Sequence, residues 1–202
     1  DYIELTAAQW MSETDITDDT QLLSSKANER YLIKLGEYIK QAKQYDGKPM
    51  TPETARAIQL LKLGITVPPP KDPKLLAELT AVGTKLNGAY GAGKYCKDAK
   101  NQNTCMDIGQ IEDVLADAPN KSYDQQLDAW QGWHTISVPM RDQYQRFVEL
   151  NNIGAKDQGF ANTGDLWRSG YDMNPADFQA ETDRLWGQVK PLYDELQCYT
   201  KN

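Results

Sequence analysis

The stretch RDQYQRFVELNNIGAKDQGFANTGDLWRSGYD occupies residues 141–172. Tyr144, Phe147, Val148 and Asn151 recur at three- and four-residue spacing, which places them on one face of a helix. Gly154 and Gly159 then loosen the chain, and Asn162-Thr163-Gly164-Asp165 supplies turn and cap chemistry. Trp167 and Tyr171 follow, with the planar donor fork of Arg168 between them. Physical chemistry alone predicts a packed helical corner here.

The same 3.6-residue period runs outward in both directions, and no segment alternates convincingly at period two. Ile3, Ala7 and Trp10 give one face of a first helix. Asp18 or Asp19 caps a second, striped by Leu23, Ala27, Tyr31, Leu35, Tyr38 and Ala42, and Asp46-Gly47 ends it. Thr51-Pro52 starts a third, with Ala55, Ile58 and Leu61 as its expected buried side and Gly64 as its stop. Residues 67–70, Val-Pro-Pro-Pro, form a stiff extended joint. After it, Asp72-Pro73 caps a helix whose Leu75, Leu76, Leu79, Val82 and Leu86 should face inward.

That helix ends in GAYGAG at 88–93, a glycine spacing seen in dinucleotide loops. The string follows a helix rather than a strand, so the nucleotide reading fails its context test. A short acidic helix is predicted at 108–118, with Glu112, Asp113 and Asp117 best read as a solvated face. Asn120-Lys121-Ser122 matches a glycosylation acceptor, but Ser122 is read as the cap of the next helix. Tyr123, Leu127, Trp130, Trp133 and His134 carry that helix, the two tryptophans as core, and Pro139 should kink or break it. Asn174-Pro175, with Asp177 at the third helical position, opens the last helix through Phe178, Leu185, Val189 and Leu196. The predicted fold class is all-α, with about seven or eight helices and at most a stray bridge of strand.

Composition bounds the partners. The chain has 202 residues, 40% hydrophobic and 25% charged, which is a globular balance. A formal charge of −7 argues against a nucleic-acid backbone as partner. No run of about 18 apolar residues offers a membrane span. The chain opens at Asp1 on helical text without a signal peptide and stops at Asn202 inside a helix. A piece of a longer protein is therefore expected.

Phe147-Val148-Glu149-Leu150-Asn151-Asn152, Gly159-Phe160 and Gly164-Asp165-Leu166-Trp167-Arg168-Ser169-Gly170-Tyr171 resemble the angiotensin-converting-enzyme family of zinc peptidyl-dipeptidases. Ala129-Trp130-Gln131-Gly132-Trp133 is similar to the family's Ala-Trp-Glu-Gly-Trp. Leu185-Trp186 through Pro191-Leu192-Tyr193 is similar to its acid-rich helix ending in Gln-Pro-Leu-Tyr. Weaker similarity reaches Trp10 and Asp15-Ile16-Thr17. The resemblance covers the N-terminal portion of the family's catalytic domain, and a bacterial source is expected. It implies lid-like helices over residues 1–66, a Pro-rich connector at 67–73 and a helical subdomain at 74–202 that forms one wall of a cleft.

Several chemical expectations follow from the resemblance. Cys96 and Cys105 bracket a polar loop, KDAKNQNT, and a disulfide there would stabilise by about 2.5–3 kcal/mol on the chain-entropy model. Family members carry a small disulfide loop at this point, so the pair is expected to be bonded, with Cys198 left over. An oxidising, extracytoplasmic location, periplasmic or secreted, is implied. Zinc hydrolysis needs paired histidines, a third ligand and a carboxylate base. The family's His-Glu-x-x-His lies later in its domain, and this chain has one histidine, His134. No metal ligand or catalytic residue is therefore assigned here, and zinc belongs to the complete enzyme.

In chloride-activated members, one anion site uses an arginine directly after the Gly-Trp pair, where this chain has His134. A second uses the tyrosine ending Trp-Arg-Ser-x-Tyr, which here is Tyr171. His134 is otherwise read as an imidazole satisfied within a helix packing layer. The implied partners are short peptides and the missing C-terminal part of the domain, with self-association of the isolated chain expected. The alternative is a non-catalytic helical binding or scaffold module derived from the same fold: a downstream His-Glu-x-x-His would favour the peptidase, and a stop codon after Asn202 the module.

Overall fold

A computed structural model describes residues 1–201 and is all-α apart from one two-residue ladder. Nine α-helices are present among the described residues: α1 (Tyr2–Thr14), α2 (Asp18–Lys43), α3 (Pro52–Leu63), α4 (Pro73–Gly91), α5 (Ile108–Ala116), α6 (Tyr123–His134), α7 (Arg141–Asp157), α8 (Thr163–Arg168) and α9 (Pro175–Lys201). Eight of them have nine residues or more, and α8 has six. The ladder pairs β1 (Tyr95–Cys96) antiparallel with β2 (Cys105–Met106).

The helix boundaries follow local chemistry. Thr51 and Asp72 accept from the backbone N–H groups of Thr54 and Lys74, and a proline opens each helix. Asp107 with Gln110, and Ser122 with Gln125, form reciprocal capping boxes at α5 and α6. Ser122 is thus a cap, as read from the sequence. The chain winds into a 3₁₀ segment at Thr135–Met140, which contains Pro139, before α7 begins.

By contact the chain divides into two compact units. The first comprises Asp1–Glu37 and Pro69–Asn151, and the second Tyr38–Pro68 and Asn152–Asn202. The core of the first unit centres on Ile111, Ala129 and Trp133, with Tyr95, Met106 and Ile136 packed against it. Tyr95 lies so close to Gly132 that a methyl group there would overlap its ring. Across α2 and α4, Ser25 Oγ donates to Thr80 Oγ1 at 3.2 Å, both side chains buried.

Which residues each helix buries differs from the apolar pattern. In α1 the buried positions are Leu5 and Ser12, while Ile3 and Trp10 are exposed. In α2, Ala27 and Ala42 are buried as predicted, but Leu23 and Tyr38 are exposed, and Ser24, Ser25, Leu32 and Ile39 take the interior. α3 buries none of its residues. In α7 the interior positions are Leu150, Asn151, Gly154 and Ala155, with Tyr144 and Val148 exposed. Gly154 is an interior helix position rather than a loose one. Small polar residues and glycine give close helix approach, and an apolar count does not register them.

Candidate functional site

Within the second unit, the corner after α7 is built by local capping. The N–H of Phe160 reaches the carbonyl of Ala155, and that of Gly159 the carbonyl of Lys156, both at 3.0 Å. This is a Schellman ending, and Gly159 supplies its left-handed position with φ of +98°. Asn162 then caps α8 by accepting from Asp165 N at 2.9 Å, while Asn152 Oδ1 accepts from Thr163 N at 3.0 Å. The Trp167 indole donates to the Thr66 carbonyl at 2.8 Å and ties the Pro-rich joint to the corner.

Tyr171, one of the residues expected to serve an anion, closes a 3₁₀ turn at Ser169–Tyr171. It is exposed, and its ring lies 4.5 Å from that of Phe178. The following residue, Asp172, is left-handed with φ of 59° and receives both arms of the Arg56 guanidinium, Nη2 to Oδ2 at 2.7 Å. This fork joins α3 to the turn that presents Tyr171. The same corner holds a half-open cavity of about 290 Å³. Lys43 and Lys62 stand at it with Asp46, and Leu63 and Phe160 give it an apolar lining. Lys62 pairs with Asp46, and Lys43 Nζ lies 3.5 Å from the Gln158 carbonyl. Sequence reasoning passed over these charges because each reads as an ordinary helix-end residue, and only their separation along the chain is visible there.

His134 belongs to the first unit. Its Nδ1 lies 2.6 Å from the Trp130 carbonyl, and its ring lies 4.2 Å from the Trp130 ring. The imidazole is exposed, not inside a packing layer as the sequence suggested. Trp130 is likewise 52% exposed, whereas Trp133 is buried edge-on against Tyr90. A carbonyl partner assigns the Nδ1 proton and leaves Nε2 as an acceptor in the neutral ring, so donation from Nε2 to an anion requires the imidazolium. His134 and Tyr171 lie in different units, each held by its own local contacts. Of the acidic trio, Glu112 and Asp113 on α5 are exposed, and Asp117, its C-cap, accepts from Asn120 Nδ2 at 2.7 Å.

Among the described residues no group of three or more His, Cys, Asp or Glu side chains could hold a metal ion. His134 already spends Nδ1 on a carbonyl. A zinc ion therefore does not fit these residues. Cys96 and Cys105 are disulfide-bonded across the ladder, and Cys198 is exposed and outside that bond.

On β1, next to Cys96, Tyr95 donates to Asp128 Oδ1 at 2.9 Å. Burial, and then that hydrogen bond, push its phenol above the usual tyrosine range. The Arg146 guanidinium grips Glu78 with two bonds, at 2.7 and 2.9 Å, and holds its carboxyl below the usual range. Both are structural contacts that fix α4, α6 and α7 within the first unit.

Comparison with known proteins agrees with the architecture. The family described as "Angiotensin-converting enzyme" matches residues 2–202. An angiotensin-converting enzyme of Rattus norvegicus is 30% identical over 205 residues, covering 97% of this chain and 15% of the relative. That of Sus scrofa is 30% identical over 203 residues with the same coverage. That of Theromyzon tessulatum is 29% identical over 204 residues, covering 98% of this chain and 32% of the relative. The chain thus spans less than a third of the length of these relatives. With its all-α fold and its disulfide loop, it belongs to the angiotensin-converting-enzyme family.

Proposed function

We propose that this chain is part of a zinc-dependent peptidyl-dipeptidase that releases dipeptides from the C-termini of short peptides. The observation that carries this reading is the family match along residues 2–202. In it, residues 1–66 act as lid helices, 67–73 as a connector, and the remainder as one wall of the substrate cleft. The zinc ligands and the carboxylate base lie in another part of the domain, since the chain has a single histidine. Taken alone, the chain is inactive. The Cys96–Cys105 bond supports a location outside the cytoplasm.

The test is a peptidase assay on the complete protein that carries this chain. An N-blocked tripeptide should lose its C-terminal dipeptide, a chelator should abolish release, and added zinc should restore it. Release of single amino acids, or hydrolysis indifferent to chelation, would sink the reading. The isolated chain, assayed beside it, should cleave nothing.

Anion dependence is part of the same reading. Tyr171 keeps a phenolic donor for one chloride, while His134 stands where an arginine would be permanently charged. The complete enzyme is therefore expected to respond to chloride through Tyr171 and not through His134, whose Nδ1 is already held at the Trp130 carbonyl. Chloride titration of the activity should show a lost response in Tyr171→Phe and an added one in His134→Arg. An unchanged response in both variants excludes these positions.

A further inference from the structure

We propose that the cavity in the second unit binds a small organic carboxylate bearing an apolar side chain. Its floor and rim come from four separate parts of the chain: the end of α2, α3, the Schellman ending of α7, and the 3₁₀ turn before Asp172. Two ammonium groups, Lys43 and Lys62, and one carboxylate, Asp46, line it, so the rim carries one positive charge in excess. Lys62 is the better buried of its pair, with 24% of its side chain exposed against 56% for Asp46. The 3.5 Å approach of Lys43 Nζ to the Gln158 carbonyl is at the long limit of a hydrogen bond. Its donors are therefore loosely committed, and a ligand carboxylate would find a charge-assisted partner there.

The apolar half of the site is equally defined. Leu63 and Phe160 line the cavity and are only partly buried by the protein itself. Ser169 Oγ donates to the Leu166 carbonyl at 2.6 Å, so toward the cavity it offers only lone pairs. Gln59 already uses its amide oxygen on Arg56 at 3.3 Å, which leaves its NH₂ group as a donor. Cation, amide donor, hydroxyl acceptor and apolar lining together suit an acylated amino acid: carboxylate to Lys43, acyl amide between Gln59 and Ser169, side chain on Leu63 and Phe160. The volume, about 290 Å³, lies at the lower edge of ordinary ligand pockets, which run about 300–1,000 Å³. A ligand of one or two residues fills it, and a longer peptide does not.

The inference rests on the lining of the cavity and not on peptidase activity, although the peptidase reading assigns the same segments to its lid helices and cleft wall. The experiment is a ¹⁵N–¹H NMR titration of the full chain with N-acetyl-leucine, with N-acetyl-leucinamide as the uncharged control. The acid should give saturable shifts at Leu63, Gln158, Phe160 and Ser169, with a Kd in the millimolar range or tighter. It should bind at least about tenfold more tightly than the amide. Lys43→Gln, at an exposed position on the rim, should weaken the acid at least about fivefold, and Lys62→Gln likewise. Lys85→Gln, on exposed α4 surface of the first unit, should leave it unchanged.

Equal binding of acid and amide overturns the proposal. So does an equal loss in Lys85→Gln, which would mark a diffuse charge effect. Absence of shifts up to about 10 mM, an affinity near the weak end of specific recognition, also overturns it. If Lys62→Gln disturbs the fold by stranding Asp46, its spectrum will show lost dispersion, and Lys43→Gln then decides alone.

Discussion

At Gly132 a hydrogen is the only substituent that fits, because the Tyr95 ring lies against the α-carbon. Gly132→Ala should therefore destabilise the first unit by about 1–3 kcal/mol, despite its better helix propensity. Thermal or urea unfolding reads this directly, and a stabilised variant would contradict the packing. Glu78 gives a second residue-level prediction, with a definite sign. Its folded-state carboxyl titrates below the unfolded value because Arg146 donates to it. The contribution is thus complete above the unfolded carboxylate range and lost as pH falls through the folded value. Both side chains are more than a third exposed, so the effect is screened and small. Glu78→Gln should lower stability at neutral pH and flatten the decline as pH falls below the unfolded carboxylate range, as melting temperature against pH would show.

Helix ends and the hairpin are where single substitutions act on whole elements. Gly159 holds a backbone conformation that side chains resist, and its N–H closes α7. Gly159→Ala should cost about 1–2 kcal/mol, measured by chemical denaturation, and should also perturb the Asn162-capped start of α8. Ser122→Ala removes one arm of a capping box and should cost about 0.5–2 kcal/mol. The disulfide closes a polar loop whose flanking residues, Tyr95 and Met106, both pack on the Ile111–Trp133 cluster. Replacing both cysteines by serine should therefore cost about 2.5–3 kcal/mol. Near-ultraviolet dichroism should change with it, since Tyr95 and Trp133 lose their fixed surroundings. An unaltered aromatic signal would separate the loop from the core.

For the molecule as a whole, the outstanding feature of the surface is apolar. α9 buries none of its residues, and Leu185, Trp186, Val189, Leu192, Tyr193 and Leu196 are all exposed along it. α3 adds Leu60 and Leu61. Exposed apolar residues in such number favour association over isolation in water. The isolated chain is expected to self-associate reversibly at micromolar concentrations, and sedimentation velocity across a concentration series tests it. Leu192→Lys should shift that equilibrium toward monomer while leaving helicity intact. A strictly monomeric profile at high concentration would refute the expectation. Among the described residues no helix is long and apolar enough to cross a membrane, so this surface is not a span.

Secondary structure and most of its punctuation were legible in the sequence. Thr51-Pro52, Asp72-Pro73, Ser122, Asn162 and Asn174 lie at helix starts because capping is a contact among residues two or three apart. Gly47 and Gly159 adopt positive φ near helix ends for an equally local reason. The family could be recognised in the same text, through strings such as Gly164 to Tyr171. Which face of each helix is covered depended on packing between helices. Ser24 and Ser25 went inside and Leu23 outside, because close approach to α4 at Thr80 favours small side chains over the most apolar ones. The cavity was invisible for a related reason. Lys43 and Phe160 are 117 positions apart, and no local pattern marks residues that only folding brings to one rim. His134 shows the limit most plainly: its place after Gly-Trp was legible, but its exposed seat on Trp130 depended on how α6 packs.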